Sequence, residues 1–237
     1  MGYKTGCMVC GERLAYFEGY ESAQCFYCGS VNDTNARCVK GHYVCDSCHG
    51  GTAGDLIQRY CLHSDSTAPL EMAETLMRNP AVKMHGPEHH FLVPAVLLAA
   101  YCNRLDIPSE EKGEKIRLAR KRSEDVKGGF CGFHGACGAA IGAGIFISII
   151  ANATPLSGVE WKLCNLVTAR CLQVIAMQGG PRCCKRDSFL AITTAAEFLR
   201  DEFGVTIDID QPVQCTFSDL NGECLFEECL FYFHDGE

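Results

Sequence analysis

The first fifty residues place thiols and an imidazole at metal-ligand spacing. They read "CMVC" (Cys7, Cys10), "CFYCG" (Cys25, Cys28), Cys38, His42 and "CDSC" (Cys45, Cys48). A Cys-x2-Cys turn aims two thiolates at one ion, and a glycine after Cys10 and Cys28 lets backbone amides turn back toward sulfur. Two such knuckles, 14 residues apart, predict a tetrahedral four-sulfur site. Cys38, Cys45 and Cys48 then lack a fourth partner; His42 is nearest, with Cys61 and His63 in reserve. An interleaved pairing of Cys7 and Cys10 with Cys45 and Cys48 is an open alternative. Segment 1–50 has too few apolar residues for a core, so the metal is expected to supply its folding energy. The expected occupant is zinc, one or two ions, ahead of an iron–sulfur cluster. "CDSCH" also matches the attachment signature of c-type haem. That chemistry goes with export, and "MGYKTGCMVC" has no basic patch followed by an apolar stretch.

The chain has 18 cysteines in 237 residues. With no secretory signal expected, they read as reduced thiols of a cytoplasmic protein rather than a disulfide framework. The longest apolar run, 138–153, falls short of the roughly 20 residues that span a bilayer, so a buried helix and no membrane are expected. A formal charge of -8 argues against a nucleic-acid partner. The basic run "KIRLARKR" (115–122) is flanked by Glu110, Glu111, Glu114, Glu124 and Asp125, the pattern of a solvated helix.

From residue 65 the periodicity is helical. "APLEMAETLMRN" (68–79) carries one apolar stripe. Pro87 or Pro94 opens the next, very apolar helix, just after a knot of His85, Glu88, His89 and His90. No His-Glu-x-x-His is present, which excludes a zinc-protease reading of that knot. A charged helix covers 109–125 and ends at "DVKGG". Further helices follow over 138–153, 158–180 and up to about 203, where Gly204 marks the end. "VTIDIDQ" alternates as a strand. The expected fold is α+β, mostly α. A zinc-ribbon or treble-clef-like module (1–60) precedes a helical domain with a Cys/His pocket (65–205), and a strand and cysteine-rich tail (206–237) packs on it. Cys215, Cys224 and Cys229 in the tail are set to close a third metal site or to fold back onto the turn at 131–137.

Two places in the helical part carry candidate chemistry. "GGFCGFHGACGAAIGAGIF" (128–146) clusters Cys131, His134 and Cys137 in a glycine-rich turn. Small residues then give a helix a flat face, which another helix or a bound group could approach closely. Cys137 at that helix start is placed for thiolate stabilisation. "GGPRCCKRDSF" sets Cys183 and Cys184 at a second helix start among Arg182, Lys185 and Arg186, an environment that lowers a thiol pKa or holds an anion. Cys164 and Cys171 read as core.

The combination of "GFCGFHGACGAAIGAG" and "GGPRCCKRDSF" behind a cysteine-rich front resembles an uncharacterised cysteine-rich domain family of methanogenic archaea and anaerobic bacteria, sometimes joined to radical-SAM or methyltransferase modules. The resemblance covers roughly 65–237 and implies sulfur or iron–sulfur chemistry in an anaerobe. A fainter likeness, at a "C-x-R" turn, is to iron–sulfur serine dehydratases and cysteine desulfidases. The expected function is a metal- and thiol-dependent protein, an iron–sulfur enzyme or sulfur-transfer factor acting on a small anionic substrate. Cys131, Cys137 and Cys183 would bind a [4Fe-4S] cluster or supply thiols, with Cys184 as a reactive thiol. His134 or His89 would carry protons, and Lys185 and Arg186 would clamp the anion. The alternative is a non-catalytic, zinc-stabilised accessory module whose N-terminal part binds a protein partner.

Overall fold

The computed structural model describes residues 6–233. Its only strands among the described residues are β1 (Leu14–Gln24) and β2 (Val31–Cys38), an antiparallel pair with Leu14 opposite Cys38 and Gln24 opposite Val31. The register slips between Tyr16 and Glu21, so β1 bulges. After them come α1 (Asp46–His49), α2 (Ala53–His63), α3 (Pro69–Arg78), α4 (Glu88–Arg104), α5 (Ser109–Glu124), α6 (Phe130–Phe133), α7 (Gly138–Ile150), α8 (Val159–Met177) and α9 (Cys184–Phe203). The architecture is α+β and mostly helical, with the N-terminal cysteine module ahead of the helices.

The core is built around α4, which is apolar on every side: Leu92, Val93 and Ala95 through Ala100 are fully buried. Helices α7, α5, α2, α9 and α3 pack around it. Pro87 stands at the N-cap and Pro94 lies inside the helix. A proline there has no N–H for the carbonyl four residues back. That carbonyl, His90 O, instead accepts a hydrogen bond from the Ser123 hydroxyl of α5 at 3.2 Å.

The flat face of α7 meets other helices. A Cβ on Gly138 would fall inside the His90 ring, and one on Gly142 would lie 2.9 Å from His90 O and from Pro94 Cδ. One on Gly144 would strike the Thr168 hydroxyl of α8. The glycines of "GAAIGAG" therefore let α7 settle onto α4 and α8. Of the two cysteines expected in the core on α8, Cys171 is fully buried, whereas Cys164 is half-buried and donates to Trp161 O.

The tail differs from expectation. Residues 205–210 form no strand, because no neighbouring segment offers a ladder; Asp208 N donates to Thr67 O and Ile207 is buried. The tail continues through two short 3-10 turns, Ser218–Leu220 and Phe226–Glu228, and Phe231 packs its ring on Phe189 of α9. No helix of the described residues is long and apolar enough to cross a membrane.

Candidate metal centres and thiol site

In the N-terminal module the eight predicted ligands form two groups: Cys7, Cys10, Cys38 and His42, and Cys25, Cys28, Cys45 and Cys48. Within each, the ligand atoms all lie within 4.8 Å of one another. The Cys10 and Cys38 sulfurs are 3.5 Å apart, Cys28 and Cys45 3.7 Å, and Cys7 Sγ lies 3.7 Å from His42 Nδ1. Metal–sulfur bonds of about 2.3 Å in a tetrahedron put sulfurs about 3.8 Å apart, so both sets fit one ion each. The pairing differs from both arrangements expected from spacing. The β1–β2 register brings Cys38 and His42 back to Cys7 and Cys10. The chain after His42 then runs along the strand turn, where Phe26 N donates to Tyr43 O and Cys45 N to Cys25 Sγ. The two groups thus alternate along the chain.

Backbone amides prepare these sulfurs to be thiolates: Val9 N points at Cys7 Sγ (3.4 Å) and Lys40 N at Cys38 Sγ (3.3 Å). Burial nevertheless pushes the Cys7 thiol up to about 11 and raises Cys25. At Cys28 burial also acts upward, but hydrogen bonds from the Ser30 hydroxyl and amide prevail and bring it down to about 7. Crowded sulfurs cannot all ionise without a cation between them, and a bound metal ion would supply that charge. Neither reserve ligand joins a group. Cys61 is fully buried in α2 with its thiol raised to about 12 by burial, and the His63 ring occupies the space a Cβ on Gly29 would need. Gly29 also has φ 69°, so glycine is required there twice over. The module is seated on α2: Tyr27, fully buried, meets the Tyr60 ring edge-on at 6.1 Å, and Arg59 donates to Ser47 O at 2.6 Å.

The helical candidates are brought together in part. Cys137 caps α7 and its thiol lies 3.9 Å from Asp187 Oδ2 on α9. Cys131 lies half-exposed on α6, six residues before Cys137. Cys184 Sγ accepts a hydrogen bond from the Gly86 amide. Cys137 at the start of α7 and Cys184, one turn before Asp187 on α9, thus lie near that carboxylate. Cys183, one residue earlier, points elsewhere: it lines a cavity with Cys215, Cys224 and Cys229 of the tail. Among the described residues, no three of Cys131, Cys137, Cys183 and Cys184 come as close as the N-terminal ligands do.

The charges are not where the sequence suggested. Lys185 is 2% exposed, donates from Nζ to Met77 O at 2.9 Å and lies over the Phe217 ring; burial lowers its pKa to about 8. Arg186 pairs with Asp187 at 3.1 Å and donates to Gly179 O and Pro181 O. Both cations serve the interior and leave no anion clamp at the surface. The thiols shift upward, not down: burial raises Cys137 to about 12, Cys183 to about 11, and Cys184 as well. Desolvation outweighs the amides and guanidinium that would favour the thiolate. His134 is exposed, its ring edge-on to Phe130 at 4.7 Å. His89 is 1% exposed; Nδ1 meets Gly86 O at 3.2 Å, Nε2 has no hydrogen-bond partner, and burial pushes its pKa down to about 3.

Sequence reasoning passed over Asp187, the buried carboxylate that meets the Cys137 thiol. Its signal was present in "CCKRDS", where an acid follows two cations one turn into a helix.

Residues 57–232 match a family of unknown function, DUF5714. The match covers most of the chain, which therefore belongs to that family. It begins within α2, so both metal-ligand groups precede it. No curated protein and no solved structure is significantly similar to the chain.

Proposed function

We propose that the protein is a zinc-stabilised thiol protein of sulfur chemistry. Each N-terminal group holds one structural zinc ion, and Cys131, Cys137 and Cys184 are the working thiols of the family domain. The contact of the Cys137 thiol with the buried Asp187, one turn beyond Cys184 on α9, carries the reading. A buried carboxylate–guanidinium pair costs stability unless it is closely paired, and perturbed buried groups of this kind gather at functional sites. Burial raises the Asp187 carboxyl pKa and so makes it a better proton acceptor for the Cys137 thiol beside it.

The step that suits them is transfer of a sulfur atom. A thiolate attacks the outer sulfur of a persulfide, R–S–SH, giving Cys–S–SH and R–S⁻. Arg182, exposed two residues before Cys184, is placed to meet an anionic donor. Because the thiols are raised, modification of Cys184 should accelerate as pH climbs above neutrality.

The test is anaerobic purification, treatment with a low-molecular-weight persulfide, and assay of sulfane sulfur by cyanolysis. Wild type is expected to retain about one equivalent, and Cys184→Ser none. Equal labelling of both would overturn the sulfur-transfer reading. A brown protein containing iron and acid-labile sulfide would instead assign these thiols to a [4Fe-4S] cluster.

The accessory-module reading has its own support. Tyr16 and Tyr20, each 76% exposed, lie at the β1 bulge, in the part of the chain outside the family match. It predicts colourless protein that tolerates serine at all three thiols and loses a protein partner when both tyrosines are replaced.

A further inference from the structure

We infer that Cys183, Cys215, Cys224 and Cys229 form a third metal site, which takes one thiophilic divalent ion and fastens the tail to the start of α9. All four line a single cavity of about 20 Å³, room for one ion or one water. Its other walls combine the rings of Phe189, Phe217 and Phe231 with polar residues that include Arg186, Asn221 and Glu223.

The backbone supplies an independent sign. At Cys224 the amide two residues on, Phe226 N, points at the sulfur at 3.4 Å, and Phe217 N does the same for Cys215. This is the turn found at Cys7 with Val9 N and at Cys38 with Lys40 N. Cys183 Sγ accepts from Arg186 N at 3.5 Å. Three of the four sulfurs are thus already met by amides that favour a thiolate. Lys185, two residues after Cys183, is buried and holds Nζ 4.3 Å from the centre of the Phe217 ring, which lines the same cavity.

No three of the four sulfurs lie within the 4.8 Å that spans each N-terminal group. The ion would therefore draw the tail inward. Of the two segments that carry these sulfurs the tail is the less regular: beyond residue 210 its described residues hold two 3-10 turns and one isolated bridge, Cys215 to Tyr232.

The ion differs from the sulfur-transfer site in both place and ligands, so the two proposals fail separately. The experiment is zinc analysis of the full chain after anaerobic reconstitution with excess Zn²⁺ and desalting. Wild type and Cys184→Ser are expected to hold three equivalents, and Cys183→Ser and the double variant Cys224→Ser/Cys229→Ser two each. Cobalt substitution should report the loss of one four-thiolate site through its charge-transfer band. Two equivalents in wild type would overturn the assignment. So would a third equivalent retained by either the Cys183 variant or the tail variant.

Discussion

Five cysteines of the N-terminal module (Cys7, Cys25, Cys38, Cys45 and Cys48) and three of the helical part (Cys61, Cys102 and Cys171) are all buried, yet their surroundings differ. In the module each thiol faces three other ligands, and the apolar residues around it are few. In the helices Cys102 and Cys171 are fully buried, with pKa values raised by desolvation to about 11 and about 12, and they act as small apolar side chains. Burial alone does not separate a ligand from a filler. The distinguishing mark is a neighbouring sulfur together with an amide aimed at it.

If that contrast is right, metal removal acts on one region first. Exhaustive chelation under reducing conditions is expected to abolish hydrogen-exchange protection over 6–50 while most helical circular dichroism remains. Structural zinc contributes on the order of 10–16 kcal/mol in small modules, more than this segment can replace. A single transition that takes the helices with it would show that the Tyr27–Tyr60 seam makes the two regions one cooperative unit.

The helical domain should fail by overpacking instead. Gly138→Val drives a side chain into the His90 ring and is expected to lower stability by roughly 1–3 kcal/mol in denaturant melts, with metal content unchanged. Metal loss in that variant would erase the contrast.

A third test uses acid. The His89 pKa is lowered in the fold chiefly by burial, with Lys185, His90 and His85 facing it. Below about pH 6.5 the unfolded chain takes up a proton that the folded chain refuses, so the contribution of this site to stability falls as pH drops toward 3. Relative to His89→Gln, wild type should lose up to about 1.4 kcal/mol per pH unit below 6.5. This difference cancels acid release of metal, which both proteins share. A gap independent of pH would mean His89 is solvated in solution.

The smallest effect belongs to the bulge of β1. Tyr16→Ser and Tyr20→Ser are expected to change stability by no more than ~0.5 kcal/mol. A larger loss would mean these rings pack on the module.

The metal ligands were legible because a knuckle is a local device: two residues of separation place both sulfurs. Which knuckles share an ion was not, since that depends on where the β1–β2 register delivers Cys38, a non-local fact. The helices could be read from their apolar stripes, and Pro94 within α4 was tolerated only because Ser123, on another helix, takes up the freed carbonyl. "VTIDIDQ" alternates like a strand but has no neighbour to pair with. Lys185 and Arg186 looked like surface cations because sequence shows charge without direction. Their burial follows from the rotation of α9 on its neighbours, which is set by Phe189, Ile192 and Phe198.

The alternating order of the N-terminal ligands also bears on biosynthesis. Within the module, Cys7, Cys10, Cys25 and Cys28 leave the ribosome before the other ligands, a complete tetrahedral set that the finished fold divides between two groups. Of the module's eight ligands only Cys38 joins that provisional set before His42 completes the first group, and Cys48 completes the second later still. At about 5–20 residues per second, the interval is on the order of a second. Correct loading therefore requires an ion that exchanges between thiolates, or one that arrives late.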